Sequence, residues 1–192
     1  AEGIATDPDK TRSVEEWPVP VSVKEVRGFL GLSGYYRKFV KDYARIAAPL
    51  TALTRKGQHF EWTSECQVAF DALKRALTTP PVLAMPDDQG SFILDTDASD
   101  VSVGAVLSQV QGGVERVIAY GGRSLSRQER NYCITRRELL AVVYFVRYYR
   151  QYLLGRRFLV RTDHSALTWL HRTTEPIGQN ARWLEQLGEF TF

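Results

Sequence analysis

Leu94-Asp95-Thr96-Asp97 and Val160-Arg161-Thr162-Asp163 close two apolar stretches in the same way: an apolar residue, a polar one, threonine, then aspartate. Both stretches have strand character, which the pattern places at residues 91–97 and 157–163. Between them come residues 103–109, a Gly112-Gly113 turn and residues 115–120, spaced as an antiparallel meander with the first strand. A long helix over 135–154, ended by Gly155, leads into the last strand. Strand, helix, strand is a crossover, so that last strand is expected to run parallel to a neighbour. If the neighbour is the first strand, the two aspartates stand side by side. The expected fold class is α/β, a mixed sheet of three antiparallel strands and a parallel fourth with packing helices, followed by shorter helices over 165–171 and 180–188.

The long helix carries Glu138, which by the 100° step shares a face with Val142, Phe145, Val146 and Tyr149, opposite Arg147 and Gln151. That face packs on the sheet, so Glu138 is expected to point inward, toward Asp97 and Asp163. Like charges 4 Å apart repel by about 4 kcal/mol at an effective dielectric near 20. Two hard divalent ions would offset this, activating a water and stabilising a leaving oxygen in phosphodiester cleavage. Each carboxylate also has a structural reading. Asp97 can begin a turn with Ala98 and Ser99, Glu138 can complete a capping box with Thr135, and Asp163 can cap the helix near Ser165.

Upstream, the pattern divides the chain into a lead-in over 1–21, a small helical unit over 22–56, a connecting segment over 57–90 and the α/β domain over 91–192. Pro8, Pro18 and Pro20 predict an extended lead-in. Ser22 and Glu25 form a capping box for a helix carrying Val26, Phe29 and Leu30, which Gly31 and Gly34 are expected to break. Further helices are expected over 35–41, with Tyr36, Phe39 and Val40 on one stripe, and over 43–55. Ser64 and Gln67 predict another cap, opening a helix with Val68, Phe70, Leu73 and Leu77 on its apolar face and stopped by Pro80 and Pro81.

The 192 residues, 44% of them hydrophobic, suffice for one or two packed domains. No apolar run approaches the roughly 20 residues of a membrane span and no signal peptide opens the chain, so an intracellular protein is expected, cytoplasmic or nuclear, without a membrane partner. Cys66 and Cys133 lack zinc-site spacing and read as reduced core thiols. The net charge of +3 is segregated. Residues 22–56 hold eight basic and two acidic side chains, residues 57–100 two basic and eight acidic, and residues 101–192 thirteen arginines against seven acidic groups. A basic surface around an acidic spot suits a metal site that receives a polyanion.

Three other signals carry nothing. Asp163-His164-Ser165 has the letters of a hydrolase triad, but adjacent residues cannot meet in the required geometry. Asp87-Asp88 follows Met85-Pro86 in a loop, with no tyrosine before it. His59 and His171 have no ligand partners in the pattern.

Several runs resemble the reverse transcriptase and ribonuclease H region of gypsy-class long-terminal-repeat retroelements, relatives of retroviruses. Gly28-Phe29-Leu30-Gly31-Leu32 with Gly34-Tyr35-Tyr36-Arg37-Lys38-Phe39 resembles the thumb, and Ala48-Pro49-Leu50-Thr51 with Phe60-Glu61-Trp62-Thr63 the connecting segment. Thr96-Asp97-Ala98-Ser99 with Gly104-Ala105-Val106-Leu107-Ser108-Gln109 resembles the first two ribonuclease H strands, and Arg161-Thr162-Asp163-His164 with Ala166-Leu167 the fourth. The resemblance implies a ribonuclease H-like domain after a thumb-like unit and the end of a palm-like segment, with Asp97, Glu138 and Asp163 as catalytic and metal-binding residues. It implies an endonuclease that cuts RNA in RNA:DNA hybrids with two Mg²⁺ or Mn²⁺ ions, alongside the remaining palm and fingers of one polyprotein, within a virus-like particle. Polymerase carboxylates are expected before Ala1, and a last strand with a helix bearing a fourth acidic residue beyond Phe192.

Tyr35, Arg37, Lys38 and Lys41 of the helical unit, with Ser99 and Arg136 near the carboxylates in sequence, are the candidate nucleic-acid contacts. Tyr36 reads as core. The alternative function is a noncatalytic connection or domesticated nucleic-acid-binding module that keeps the fold.

Overall fold

The structure, a computed structural model, describes residues 3–6, 8–79, 81–172 and 178–192, with the side chains of all but 8–11, 164, 167 and 171. Expectations for Pro80 and for the side chains of His164, Leu167 and His171 fall outside it.

The matched strand endings do pair. Strands β1 (Phe92–Ala98), β2 (Ser102–Gln111), β3 (Val114–Ser124) and β4 (Phe158–Arg161) form a sheet in the order β3-β2-β1-β4. The first three are antiparallel, joined at the β2–β3 turn by Gly112 and Gly113, both at the positive φ that this turn requires. β4 runs parallel to β1 with Leu94 opposite Val160 and Asp95 opposite Arg161. The first two residues of each quoted segment are thus in register, and the ladder ends before their threonines and aspartates.

Chain order gives α1 (Pro8–Glu15), α2 (Val23–Tyr35), α3 (Tyr43–Ile46), α4 (Ala48–Leu53), α5 (Ser64–Thr78), α6 (Ile134–Tyr148), α7 (Arg150–Leu153), α8 (His164–Arg172) and α9 (Gln179–Leu187). No described helix is long and apolar enough to cross a membrane. α6 lays Leu139, Val142, Phe145 and Val146 against Phe92, Leu94, Val103, Ala105 and Leu107 of the sheet. α1 to α5 share a second core, with Val14, Val26, Phe29, Leu50, Phe70 and Leu73, which meets the sheet through Val117 and Tyr120.

Several boundaries differ from the sequence reading. Residues 8–15 are helical because Pro8 sits at the first position, where its missing N–H would have had no helical partner. α2 continues through Gly31 and Gly34, neither at positive φ, since burial of Val26, Phe29 and Ser33 outweighs glycine's weak propensity. The stretch over 35–41 holds only a 3₁₀ turn, Arg37–Phe39, while the next helix divides at Ala47, before Pro49, which has no N–H to continue the ladder. Ser22 caps α2 as expected, but the Glu25 carboxylate accepts from the Val21 N–H, one residue earlier than a capping box requires. Thr63, not Ser64, caps α5, and this phase leaves Val68 66% exposed while Cys66 and Ala69 enter the core. Cys133 is exposed at the N-cap of α6. The helix expected over 135–154 divides at Tyr149, with Tyr149 and Leu153 buried, and β4 stops at Arg161 as the chain turns into α8.

Adjacent glycines let both layers approach β3. A Cβ on Gly121 would stand 2.6 Å from Phe145 and 2.7 Å from the Tyr149 hydroxyl, and one on Gly122 would stand 3.4 Å from the Ala44 Cβ. Gly121→Ala is therefore expected to destabilise the fold by about 1–3 kcal/mol through overpacking. Urea denaturation measures this, and an unchanged midpoint would rule out close approach of α6 at that point.

Candidate active site

Asp97 lies at the exposed end of β1, two residues past the last β1–β4 ladder pair, as Asp163 lies past β4. Strand alternation puts Asp95 and Asp97 on the face opposite Leu94. There they line a cavity of about 590 Å³ with Lys41, Arg45, Ser108 and Glu115. Lys41 and Arg45 come from the helical layer, so that cavity lies between the basic unit and the sheet.

Glu138 is 4% exposed, held in the first half of α6. Its Oε1 accepts from the Ala98 N–H at 3.2 Å, while Oε2 is buried without a hydrogen-bond partner among the described residues. Burial pushes its carboxyl up to about 7, Asp97 adds to the rise, the Ala98 N–H opposes it, Asp163 adds again and Arg137 opposes. Both aspartates are therefore close enough for their charge to act on Glu138. Asp163 Oδ1 also accepts from the Ser165 N–H at 2.8 Å and hydroxyl at 2.6 Å.

These contacts separate the structural readings. Asp163 does cap α8. The turn after β1 is closed by Ser99, whose Oγ donates to the Ser102 carbonyl at 3.1 Å and accepts from the Ser102 N–H at 3.0 Å, not by Asp97. Glu138 belongs to no capping box, because the N-cap is Cys133. Among the described residues, no three His, Cys, Asp or Glu side chains stand close enough together to hold an ion. The three carboxylates share a field rather than a ready-made cage.

The candidate nucleic-acid contacts divide. Lys41 shares the Asp97 cavity, whereas Tyr35, Arg37 and Lys38 are exposed but outside its lining. Tyr36 is buried as expected. Ser99 is occupied by its turn, and Arg136 lies 4.1 Å over the Tyr132 ring and bonds Gln179. Sequence reasoning passed over Arg161, whose guanidinium grips Asp95 and Glu115, and Arg137, which donates to the Ser99 carbonyl at 3.0 Å. The matched endings held a signal for the first: aligned, they set Asp95 opposite Arg161.

A meander, a crossover helix with an inward glutamate and a parallel strand ending beside the first define a ribonuclease H-like α/β domain. The family described as the RNase H-like domain found in reverse transcriptase matches residues 62–160. The chain belongs to that family. It is 42% identical over 192 residues to the retrovirus-related Pol polyprotein from transposon 297 of Drosophila melanogaster, and 37% identical over 196 residues to that from transposon gypsy of the same organism. It covers 18% of the length of each, so it corresponds to a small part of them. Its fold matches the foamy viral protease-reverse transcriptase in complex with dsDNA, with a TM-score of 0.76 at 21% identity over 96% of this chain and 39% of that one. The same viral protein in complex with an RNA/DNA hybrid gives a TM-score of 0.73 at 21% identity, over 97% of this chain and 26% of that one.

Proposed function

We infer that this chain is the ribonuclease H part of a retroelement reverse transcriptase, which cuts the RNA strand of RNA:DNA hybrids at Asp97, Glu138 and Asp163. One observation carries this: the Glu138 carboxylate is buried in α6 beside the end of β1, with one oxygen on the Ala98 N–H next to Asp97 and the other without a hydrogen-bond partner among the described residues. Burying a carboxylate without a cation is costly, and the unpartnered Glu138 Oε2 is a donor suited to one. The donor set is all carboxylate oxygen, which fits Mg²⁺ or Mn²⁺. Such ions supply an activated water and stabilise the leaving oxygen of a phosphodiester.

The chain's own residues bind and orient. The Ala98 N–H fixes one oxygen of Glu138, and Arg137 ties α6 to the turn after β1. Lys41 and Arg45 meet phosphates along the cavity, and hybrid selection rests on 2′-hydroxyls in a wide minor groove. The remaining palm and fingers of the same polyprotein complete the polymerase.

A labelled RNA annealed to DNA, incubated with the chain and Mn²⁺, tests this against the same RNA annealed to RNA. Cutting confined to the hybrid is expected. Tight hybrid binding without cutting would favour a noncatalytic binding module, the second reading, which the Asp163–Ser165 contacts support. Binding itself should weaken with salt, and Lys41→Ala should make the log-log slope shallower by about 0.9, one phosphate's worth for a B-form duplex. A slope identical to wild type would remove Lys41 from the interface.

A further inference from the structure

The parallel ladder between β1 and β4 ends at Asp95 and Arg161, two residues short of Asp97 and Asp163. From that last pair the Arg161 side chain forks across the outer face of the sheet. Its Nε and Nη2 donate to Oδ1 and Oδ2 of Asp95, each at 2.6 Å. Nη2 also donates to Glu115 Oε1 at 2.6 Å, and Nη1 to Oε2 at 3.3 Å. All four oxygens of the two carboxylates are engaged by one guanidinium, a match of planar donors that lysine cannot reproduce.

The surroundings give this fork a meaning beyond cohesion. Four carboxylates line the cavity, namely Asp42, Asp95, Asp97 and Glu115. Asp42 is paired with Arg45 at 3.0 Å, and Asp95 and Glu115 are held by Arg161. Asp97 has no ion pair among the described residues. The Arg161 side chain is 46% exposed, and pairs so open to water contribute little to stability. The fork occupies all four oxygens of Asp95 and Glu115, two of the carboxylates lining that cavity.

We propose that Arg161 is a positioning residue that withholds the Asp95 and Glu115 oxygens from divalent cations, so that a cation on this face is directed to Asp97. The proposal rests on the reading of Asp97, Glu138 and Asp163 as the cation site. Without the guanidinium, Asp95 and Glu115 become a competing pair of hard oxygen donors on the same cavity floor.

Electron paramagnetic resonance of free Mn²⁺, titrated against the whole chain, counts the ions bound. Arg161→Met is expected to bind one ion more per chain than wild type, and adding Asp95→Asn and Glu115→Gln to it should return the wild-type count. Asp95→Asn with Glu115→Gln in the wild-type background should leave the count unchanged. A folded Arg161→Met chain with the wild-type count overturns the proposal, and so does loss of an ion in the Asp95→Asn, Glu115→Gln chain. The latter comparison decides alone if Arg161→Met does not fold. Asp97→Asn separates the two ideas: Mn²⁺ binding that survives this change sinks the underlying site, whereas binding lost here with no gain in Arg161→Met sinks only the role of Arg161.

Discussion

Asp97→Asn is expected to slow Mn²⁺-dependent cutting of an RNA:DNA hybrid by about two to three orders of magnitude, because charge stabilisation by bound cations amounts to several kcal/mol and each 1.36 kcal/mol is tenfold in rate. The change is nearly isosteric and removes one formal charge from an exposed strand end, so the fold should persist. Asp97 has no core contact to lose. Single-turnover rates, with the chain in excess over both the hybrid and the dissociation constant, isolate the effect from binding. The separation matters because Lys41 and Arg45, which share the cavity, are unchanged and should still hold phosphates. An undiminished rate in the Asn chain would end the assignment of Asp97.

Glu138→Gln is expected to act on stability in a direction set by pH. The folded-state pKa of Glu138 is raised from 4.5 to about 7, so the fold prefers the protonated carboxyl. Below 4.5 the group is neutral in both states and costs nothing. Between 4.5 and about 7 the unfolded chain ionises first, and the stability contributed by protonated Glu138 is progressively lost. Above that window the loss is constant, about 3 kcal/mol at most. Glutamine keeps the Ala98 bond through its carbonyl oxygen and carries no charge at any pH. In a cation-free buffer the two chains should melt together near pH 4.5, and by pH 8 the Gln chain should melt roughly 6–12 °C higher, at 2–4 °C per kcal/mol for a chain of this size. Added Mn²⁺ at pH 8 should raise the melting temperature of wild type much more than that of Glu138→Gln. Parallel melting curves across this pH range would show that Glu138 is not held against its charge.

The parts of this architecture visible in the sequence are those that repeat locally. Alternation gave the meander, the glycine pair gave its turn, and the similarly patterned endings of two strands anticipated a register that sets Leu94 against Val160. The 100° step placed Glu138 inward because Val142, Phe145 and Val146 fix the buried face of α6. What local pattern could not reveal depends on partners distant in the chain. The lead-in forms a helix because Val14 finds the second core, and Ile4 pairs with Leu83 far along the chain. Gly121 and Gly122 look like any strand glycines until Phe145 and Ala44 are seen on opposite sides of them. Arg161 reads as an ordinary polar strand residue until Glu115, 46 positions away, comes within reach. Asp163 was legible both as a ligand and as a helix cap, and its carboxylate shows the capping contacts while its charge reaches Glu138.

Crystals soaked in Mn²⁺ and measured for anomalous scattering locate the bound ions among the carboxylates. Peaks are expected within the hard-cation contact range of about 2.0–2.6 Å from carboxylate oxygens of Asp97, Glu138 and Asp163, with the Asp163 side chain turned from Ser165 toward the ion. Saturating Mn²⁺ that leaves these three carboxylates without a peak, or that binds only elsewhere on the chain, would contradict their role as the cation site.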